Sequence, residues 1–100
     1  MKKGLRLKPF QISAIKETAS EVFGSETKVI IFGSRTDLSR RGGDIDILIL
    51  TKNLENAFKK KLKFLAKLYS KIGEQKIDVI ITDKPRKDIE KTAVETGIEL

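Results

Sequence analysis

Two closely spaced aspartates are the residues of this chain whose pattern most clearly indicates chemistry. Asp44 and Asp46 begin an apolar run over residues 44–50. On an extended chain their side chains point to the same face, with their backbones roughly 7 Å apart. Two ionised carboxylates that close raise each other's pKa, whereas a divalent cation with oxygen ligands keeps both charged. The spacing therefore predicts a cation site.

A third aspartate interrupts a later apolar run. Asp78 lies within residues 76–81, where an unpaired acid is costly. If the two runs form neighbouring strands, Asp78 joins Asp44 and Asp46 in a three-carboxylate cluster, which suits Mg²⁺ or Mn²⁺ and leaves coordination positions for phosphate oxygens. Two alternatives stay open: the aspartate pair is a polar strand edge, or Asp78 faces elsewhere or pairs with Lys76.

Gly33 and Ser34 follow the apolar run of residues 29–32. A glycine there lets the backbone approach a ligand closely, and the serine adds a backbone N–H and a hydroxyl donor. Arg35, like Arg40 and Arg41, carries a guanidinium that matches phosphate oxygens. For Arg40 and Arg41 a solvated surface position is an equal alternative. This loop predicts a phosphate-binding site beside the cation site.

These motifs resemble a known superfamily. Gly-Ser, nine intervening residues, Asp-x-Asp and a third Asp on a later strand are similar to the nucleotidyltransferases that include DNA polymerase beta. Within them the chain most resembles the minimal nucleotidyltransferases, often found as antitoxin partners of HEPN-domain toxins. Glycines at positions 42 and 43 replace a common serine, and Thr36 replaces a common alanine, which leaves the ligand residues intact.

The resemblance implies roles for individual residues. The implied nucleotide-binding residues are Gly33, Ser34 and Arg35, and the implied metal-binding and catalytic residues are Asp44, Asp46 and Asp78. It also implies Mg²⁺ (or Mn²⁺) as cofactor, ATP as substrate, and transfer of AMP to a tyrosine of a HEPN ribonuclease toxin. Three alternatives remain: an antitoxin that acts by binding alone, a small-molecule nucleotidyltransferase with a separate acceptor subunit, and a structural nucleic-acid-binding protein.

Composition narrows the function classes. The 100 residues contain no Cys and no His, which excludes disulfides, thiol nucleophiles, histidine bases and the usual zinc sites. The net charge of +7 indicates an anionic partner such as a nucleotide, a nucleic acid or an acidic protein. No run approaches the roughly 20 apolar residues of a membrane span. We expect one domain over residues 1–100, cytoplasmic and without a signal peptide.

The elements that must position these residues follow from hydrophobic periodicity. We predict helices over residues 9–23, 54–72 and 85–96, strands over 28–32, 44–50 and 76–81, and a short closing strand within 97–100. Asn53 is the expected cap of the second helix, and Thr36 of a short turn. Predicted core positions on the second and third helices are Ala57, Phe58, Leu62, Leu65, Leu68, Tyr69, Ile72, Ile89 and Val94. The expected class is α/β (α+β), with the polymerase beta-like nucleotidyltransferase fold: a small mixed sheet with helices packed on one side.

Overall fold

The computed structural model describes residues 6–33 and 44–100. In chain order the elements are α1 (Pro9–Phe23), β1 (Lys28–Phe32), β2 (Ile45–Leu50), α2 (Ala57–Ile72), β3 (Ile77–Thr82), α3 (Asp88–Thr96) and β4 (Ile98–Glu99). The bounds of α1 and β1 match the prediction. The predicted class is confirmed, because these elements form a small mixed sheet with packed helices. None of the described helices is long and apolar enough to cross a membrane.

The sheet has the strand order β3-β2-β1-β4. β1 is antiparallel to both β2 and β4, whereas β2 and β3 are parallel. A parallel pair needs a long crossover, and α2 supplies it between β2 and β3. The register places Phe32 opposite Asp46, and Asp46 opposite Asp78. The first and third predicted strands thus lie on either side of the second.

One face of the sheet is covered by α1 and α2. Because side chains alternate along a strand, Ile45, Ile47 and Ile49 all point to this face, and none of them is exposed. They belong to a core cluster that also includes Ala14, Ile15, Val29, Ile31, Phe64, Leu68, Ile77 and Val79. The rings of Phe23 and Phe64, 5.7 Å apart, join the two helices. This face is the main hydrophobic core.

The opposite face carries a second, smaller cluster. It consists of Ile30, Phe32 and Leu48 from the sheet and Ala93 from α3. The two long helices therefore share one face, as predicted, but the third helix lies on the other. The prediction that Ile89 and Val94 of α3 point inward is wrong, since these residues are 54% and 41% exposed.

Local hydrogen bonds explain why α3 turns a different side inward and begins after Pro85. The Glu90 carboxylate accepts hydrogen bonds from the backbone N–H groups of Arg86 (2.9 Å) and Lys87 (3.4 Å). Bonds of this kind satisfy donors that a helix start leaves unpaired. These hydrogen bonds hold the Glu90 side chain in a buried position. They also lower the pKa of its carboxyl, chiefly through the bond from the Arg86 N–H. The helix therefore starts at Asp88.

The second helix also begins later than predicted. The Asn53 carboxamide oxygen accepts a hydrogen bond from the Glu55 N–H at 2.9 Å, which makes a turn rather than a helix cap. Asn56 then has a left-handed backbone, with φ of 55°, and α2 starts at Ala57. Phe58 and Leu62, predicted as core residues, are 72% and 52% exposed. The predicted Thr36 cap lies outside the described residues.

Candidate functional site

The site is built at the end of the sheet where β1 ends and β2 and β3 begin. Asp46 and Asp78 are direct neighbours across the parallel pair, and adjacent strands lie about 4.8 Å apart. A hydrogen bond of 3.0 Å from the Ile45 N–H to the Lys76 carbonyl ties the two strand starts together. Asp44 precedes β2 by one residue. The sheet register thus places Asp46 beside Asp78, and Asp44 comes two residues before Asp46.

Electrostatics show that these carboxylates interact. The pKa of Asp46 is raised, chiefly by burial and then by the negative charges of Asp78 and Asp44. The effect is that of like charges gathered in a partly desolvated place. Asp46 is half-buried, whereas Asp78 lies exposed on the edge strand. The arrangement favours a positively charged ligand, because such a ligand would relieve the repulsion.

Lys76 supplies a positive charge at the border of this group. Its ammonium nitrogen lies 3.5 Å from a carboxylate oxygen of Asp44, with the two side chains 77% and 37% exposed. Exposed pairs of this kind contribute little to stability. A cation at Asp44 would therefore compete with the lysine for this carboxylate. The lysine partner that the sequence left open for Asp78 is in fact the partner of Asp44.

Gly33 closes the site from the β1 side. Its φ of +74° is a conformation that side-chain-bearing residues rarely adopt. A Cβ at this position would collide with Oδ2 of Asp46 and lie 3.2 Å from its Cγ. The predicted close approach of the Gly33 backbone is therefore made to a carboxylate of the protein itself. No signal in the sequence pointed to this contact, because it depends on the pairing of Phe32 with Asp46.

The roles assigned to the site residues remain predictions. Ser34 and Arg35, the other nucleotide-binding candidates, lie outside the described residues. Within residues 6–33 and 44–100, no three acidic, Cys or His side chains are grouped closely enough to hold a metal ion. The donor set still fits a hard cation such as Mg²⁺, which takes one or two carboxylates and completes its shell with water and phosphate oxygens.

A cavity of about 570 Å³ lies at the other end of the strands. It is lined by residues that include Phe23, Lys28, Leu50, Asn53 and Pro85. Because β1 begins and β2 ends there, the strands separate this cavity from the aspartates. It is not part of the candidate site.

The comparisons with known proteins agree with this geometry. The sequence profile of the family described as "Polymerase beta, Nucleotidyltransferase" matches residues 13–100. The chain belongs to this family. A search of curated proteins found no significant match. The family supports nucleotidyl transfer, a reaction in which a nucleoside triphosphate is the donor and a divalent metal is the typical cofactor.

Proposed function

We propose that this protein is a Mg²⁺-dependent nucleotidyltransferase that moves AMP from ATP to a tyrosine of a HEPN ribonuclease toxin and so acts as an antitoxin. The observation that carries the transferase part is the pairing of Asp46 with Asp78 across β2 and β3, in a chain of this family. ATP, the tyrosine acceptor and the toxin partner rest on the resemblance to the minimal nucleotidyltransferases.

The three aspartates differ in exposure, and we assign them different roles on that basis. Asp44 and Asp46, at the start of one strand, would hold the cation that binds the triphosphate, and the lack of a side chain at Gly33 lets the Asp46 carboxylate take its position. When bound, Mg²⁺ neutralises the phosphate charge and lowers the pKa of the acceptor hydroxyl. Asp78 is exposed on the edge strand. Its carboxylate is therefore the one that an acceptor on another molecule reaches.

The transfer itself needs no covalent enzyme intermediate. The tyrosine oxygen forms a bond to the α-phosphorus as the bond from that phosphorus to the bridging oxygen of the β-phosphate breaks. Asp78 accepts the hydroxyl proton, and pyrophosphate leaves. Positioning and charge stabilisation supply the rate enhancement.

The decisive experiment measures the intact mass of a HEPN-domain toxin, the proposed partner, after incubation with the chain, ATP and Mg²⁺. We expect the mass to rise by one or more AMP groups, and we expect no rise with the Asp44→Asn/Asp46→Asn variant. Glu26→Gln, exposed in the turn before β1 at the other end of the sheet, is the control for loss of a surface carboxylate and keeps the activity. The same reaction without Mg²⁺ tests the metal requirement.

The other outcomes separate the alternatives. If no mass is gained although a stable complex forms, the protein neutralises its partner by binding alone. Nucleotide transfer to an aminoglycoside-like alcohol without any partner protein identifies a small-molecule enzyme instead. Either result contradicts the proposed function.

A further inference from the structure

One side of α2 presents apolar residues to solvent. Phe58, Leu62, Leu65 and Tyr69 follow one another at steps of four, three and four residues, which places them on one face of a helix. We call these residues the α2 stripe. Phe58 is 72% and Leu62 is 52% exposed, while Leu65 and Tyr69 are half-buried against the core. Leu54, 40% exposed, lies just before the helix.

The α2 stripe leads toward the candidate site. Tyr69, its last member, lines a cavity of about 450 Å³ together with Glu74, Gln75 and Lys76. Lys76 in turn pairs with Asp44. This opening therefore lies between the stripe and the edge of the sheet where β3 begins.

All charged side chains of α2 are positive. The helix contains Lys59, Lys60, Lys61, Lys63, Lys67 and Lys71 and no acidic residue. Lys67 and Lys71 pair with Glu21 at 3.3 and 3.2 Å. Among the described residues, no acid lies within ion-pairing distance of the other four lysines. Lys59 and Lys63 lie on the solvent side of the stripe, given the 100° step of a helix.

The lysines indicate which kind of molecule binds the α2 stripe. A second copy docked symmetrically, α2 against α2, would bring two sets of lysines together, because a two-fold interface places the same surface on both sides. A nucleic acid would contact the lysines through its phosphates and stack a base on Phe58 at most, which leaves the exposed Leu62 without an apolar partner. An acidic protein with an apolar surface would pair with the lysines and also cover the apolar residues.

We propose that the α2 stripe is the docking surface for an acidic partner protein, which lays the apolar face of a helix with acidic flanks against Phe58 and Leu62. This surface is a second binding site beside the carboxylates. In naming the partner as the carrier of the acceptor hydroxyl, the inference rests on the proposed function. Because Ile77 and Val79 face α1 and α2, Asp78 points to the other face of the sheet, and the bound partner has to extend around the edge strand β3 to bring its acceptor to Asp78.

The test uses a fluorescein-labelled helical peptide of ~20 residues, long enough to form a helix on binding. Leucines three and four residues apart form one face of the peptide, and glutamates fill the rest. Fluorescence anisotropy is measured with the full chain and no nucleotide. We expect Phe58→Ser/Leu62→Ser to weaken binding by about 10-fold or more, as the loss of central apolar anchors does. Lys59→Glu/Lys63→Glu is expected to weaken it similarly.

The matched control is Ile89→Ser/Val94→Ser. It removes two comparably exposed apolar side chains, 54% and 41%, from α3 on the opposite face of the sheet. We expect this variant to bind the peptide like the unchanged chain. A peptide with lysine in place of glutamate is expected not to bind.

Several results would overturn the docking proposal. These are no binding of the acidic peptide, equal losses in the α2 and α3 variants, or a wild-type dimer in light scattering that Phe58→Ser/Leu62→Ser converts to a monomer. Binding of a single-stranded RNA that depends on the lysines but not on Phe58 and Leu62, with no peptide binding, would also overturn it.

The same variants separate this inference from the proposed function. Asp44→Asn/Asp46→Asn leaves the docking surface unchanged and is expected to bind the peptide normally. If docking holds while AMP transfer to the HEPN protein fails in the unchanged chain, only the proposed function is contradicted. If transfer proceeds equally with Phe58→Ser/Leu62→Ser, only the docking proposal is contradicted.

Discussion

One face of β2 contributes to the hydrophobic core, whereas the other carries Asp46 of the candidate site. On the face covered by α1 and α2, Ile45, Ile47 and Ile49 are fully buried. On the other face, Asp46 is followed by Leu48. Leu48 is buried in the cluster that includes Ala93 of α3, whereas Asp46 is half-buried. Alternation along a strand lets one short segment build a core and hold a charged site. We therefore expect substitution of the isoleucines to change stability and substitution of Asp46 to change activity.

The largest effect is expected on the helix-covered face. Ile47→Ala removes a fully buried side chain, and such truncations cost about 2–5 kcal/mol in the free energy of unfolding. The midpoint of urea unfolding measures it. Activity per folded molecule is expected to stay near normal. Ile89→Ala, at an exposed position on α3, is the control and shifts stability little. A loss below about 1 kcal/mol for Ile47→Ala would contradict this view of the core.

Gly33→Ala is expected to have the next largest effect. The new Cβ collides with the Asp46 carboxylate, and the backbone keeps a φ of +74°. Displacing a catalytic group by about 1 Å can cost 10²-fold in rate, so we expect a loss of roughly that size in AMP transfer. Gly73→Ala is the matched control, because its φ is +86° but no atom lies within 4 Å of the added Cβ. Equal losses of activity in the two variants would show that strain alone is responsible.

On the open face, Asp46→Asn is expected to stabilise the protein while it abolishes transfer. Burial and the neighbouring aspartates raise the pKa of Asp46 above its ordinary value of 3.8. The folded state then binds the proton more tightly than the unfolded state, so stability falls as the pH rises through the window between the two values. At pH 7 the neutral asparagine is therefore expected to raise the melting temperature.

The pH dependence provides the check on that prediction. Below both pKa values the aspartate is protonated in each state, and the gain from Asp46→Asn is expected to vanish. Asp83→Asn is the control of opposite sign, because the Arg86 hydrogen bond lowers the pKa of Asp83. It is expected to lower the melting temperature at pH 7. A gain from Asp46→Asn that is independent of pH would argue against charge repulsion as its cause.

The smallest effect concerns the Asp44–Lys76 pair. Since both side chains are exposed, Lys76→Ala is expected to change stability by less than about 1 kcal/mol. Removal of the competing ammonium is expected to tighten Mn²⁺ binding roughly 2- to 5-fold, the range of a weak screened interaction. Isothermal titration calorimetry measures this affinity. Lys52→Ala removes the same charge at the other end of β2, and an equal gain there would indicate only a change in net charge.

Sequence patterns predicted the elements whose periodicity was strong. The apolar spacing of α1 and the run of β1 gave bounds that match the structure. These bounds depend on local patterns, which a single sequence carries. The sequence left open whether the strands of the aspartates are neighbours, and the structure places Asp46 opposite Asp78.

Features that depend on neighbouring elements were not predictable. Phe58 and Leu62 have the spacing of core residues, but α2 turns Phe64 and Leu68 inward, because those residues meet α1 and the sheet. The start of α3 depends on the Glu90 carboxylate reaching two backbone N–H groups. The contact of Gly33 with Asp46 required the strand register. In each case packing decided between patterns that were locally equivalent.

The parallel pairing of β2 with β3 also bears on the order in which the protein assembles. β1 and β2 follow each other along the chain, whereas Asp46 meets Asp78 only after α2 has crossed over and β3 has paired. Pairings between distant residues form late because the loop-closure entropy must be overcome first. An incompletely folded chain, or one still emerging from the ribosome, therefore lacks the third carboxylate. The completed crossover is then the structural step that brings Asp78 to the site.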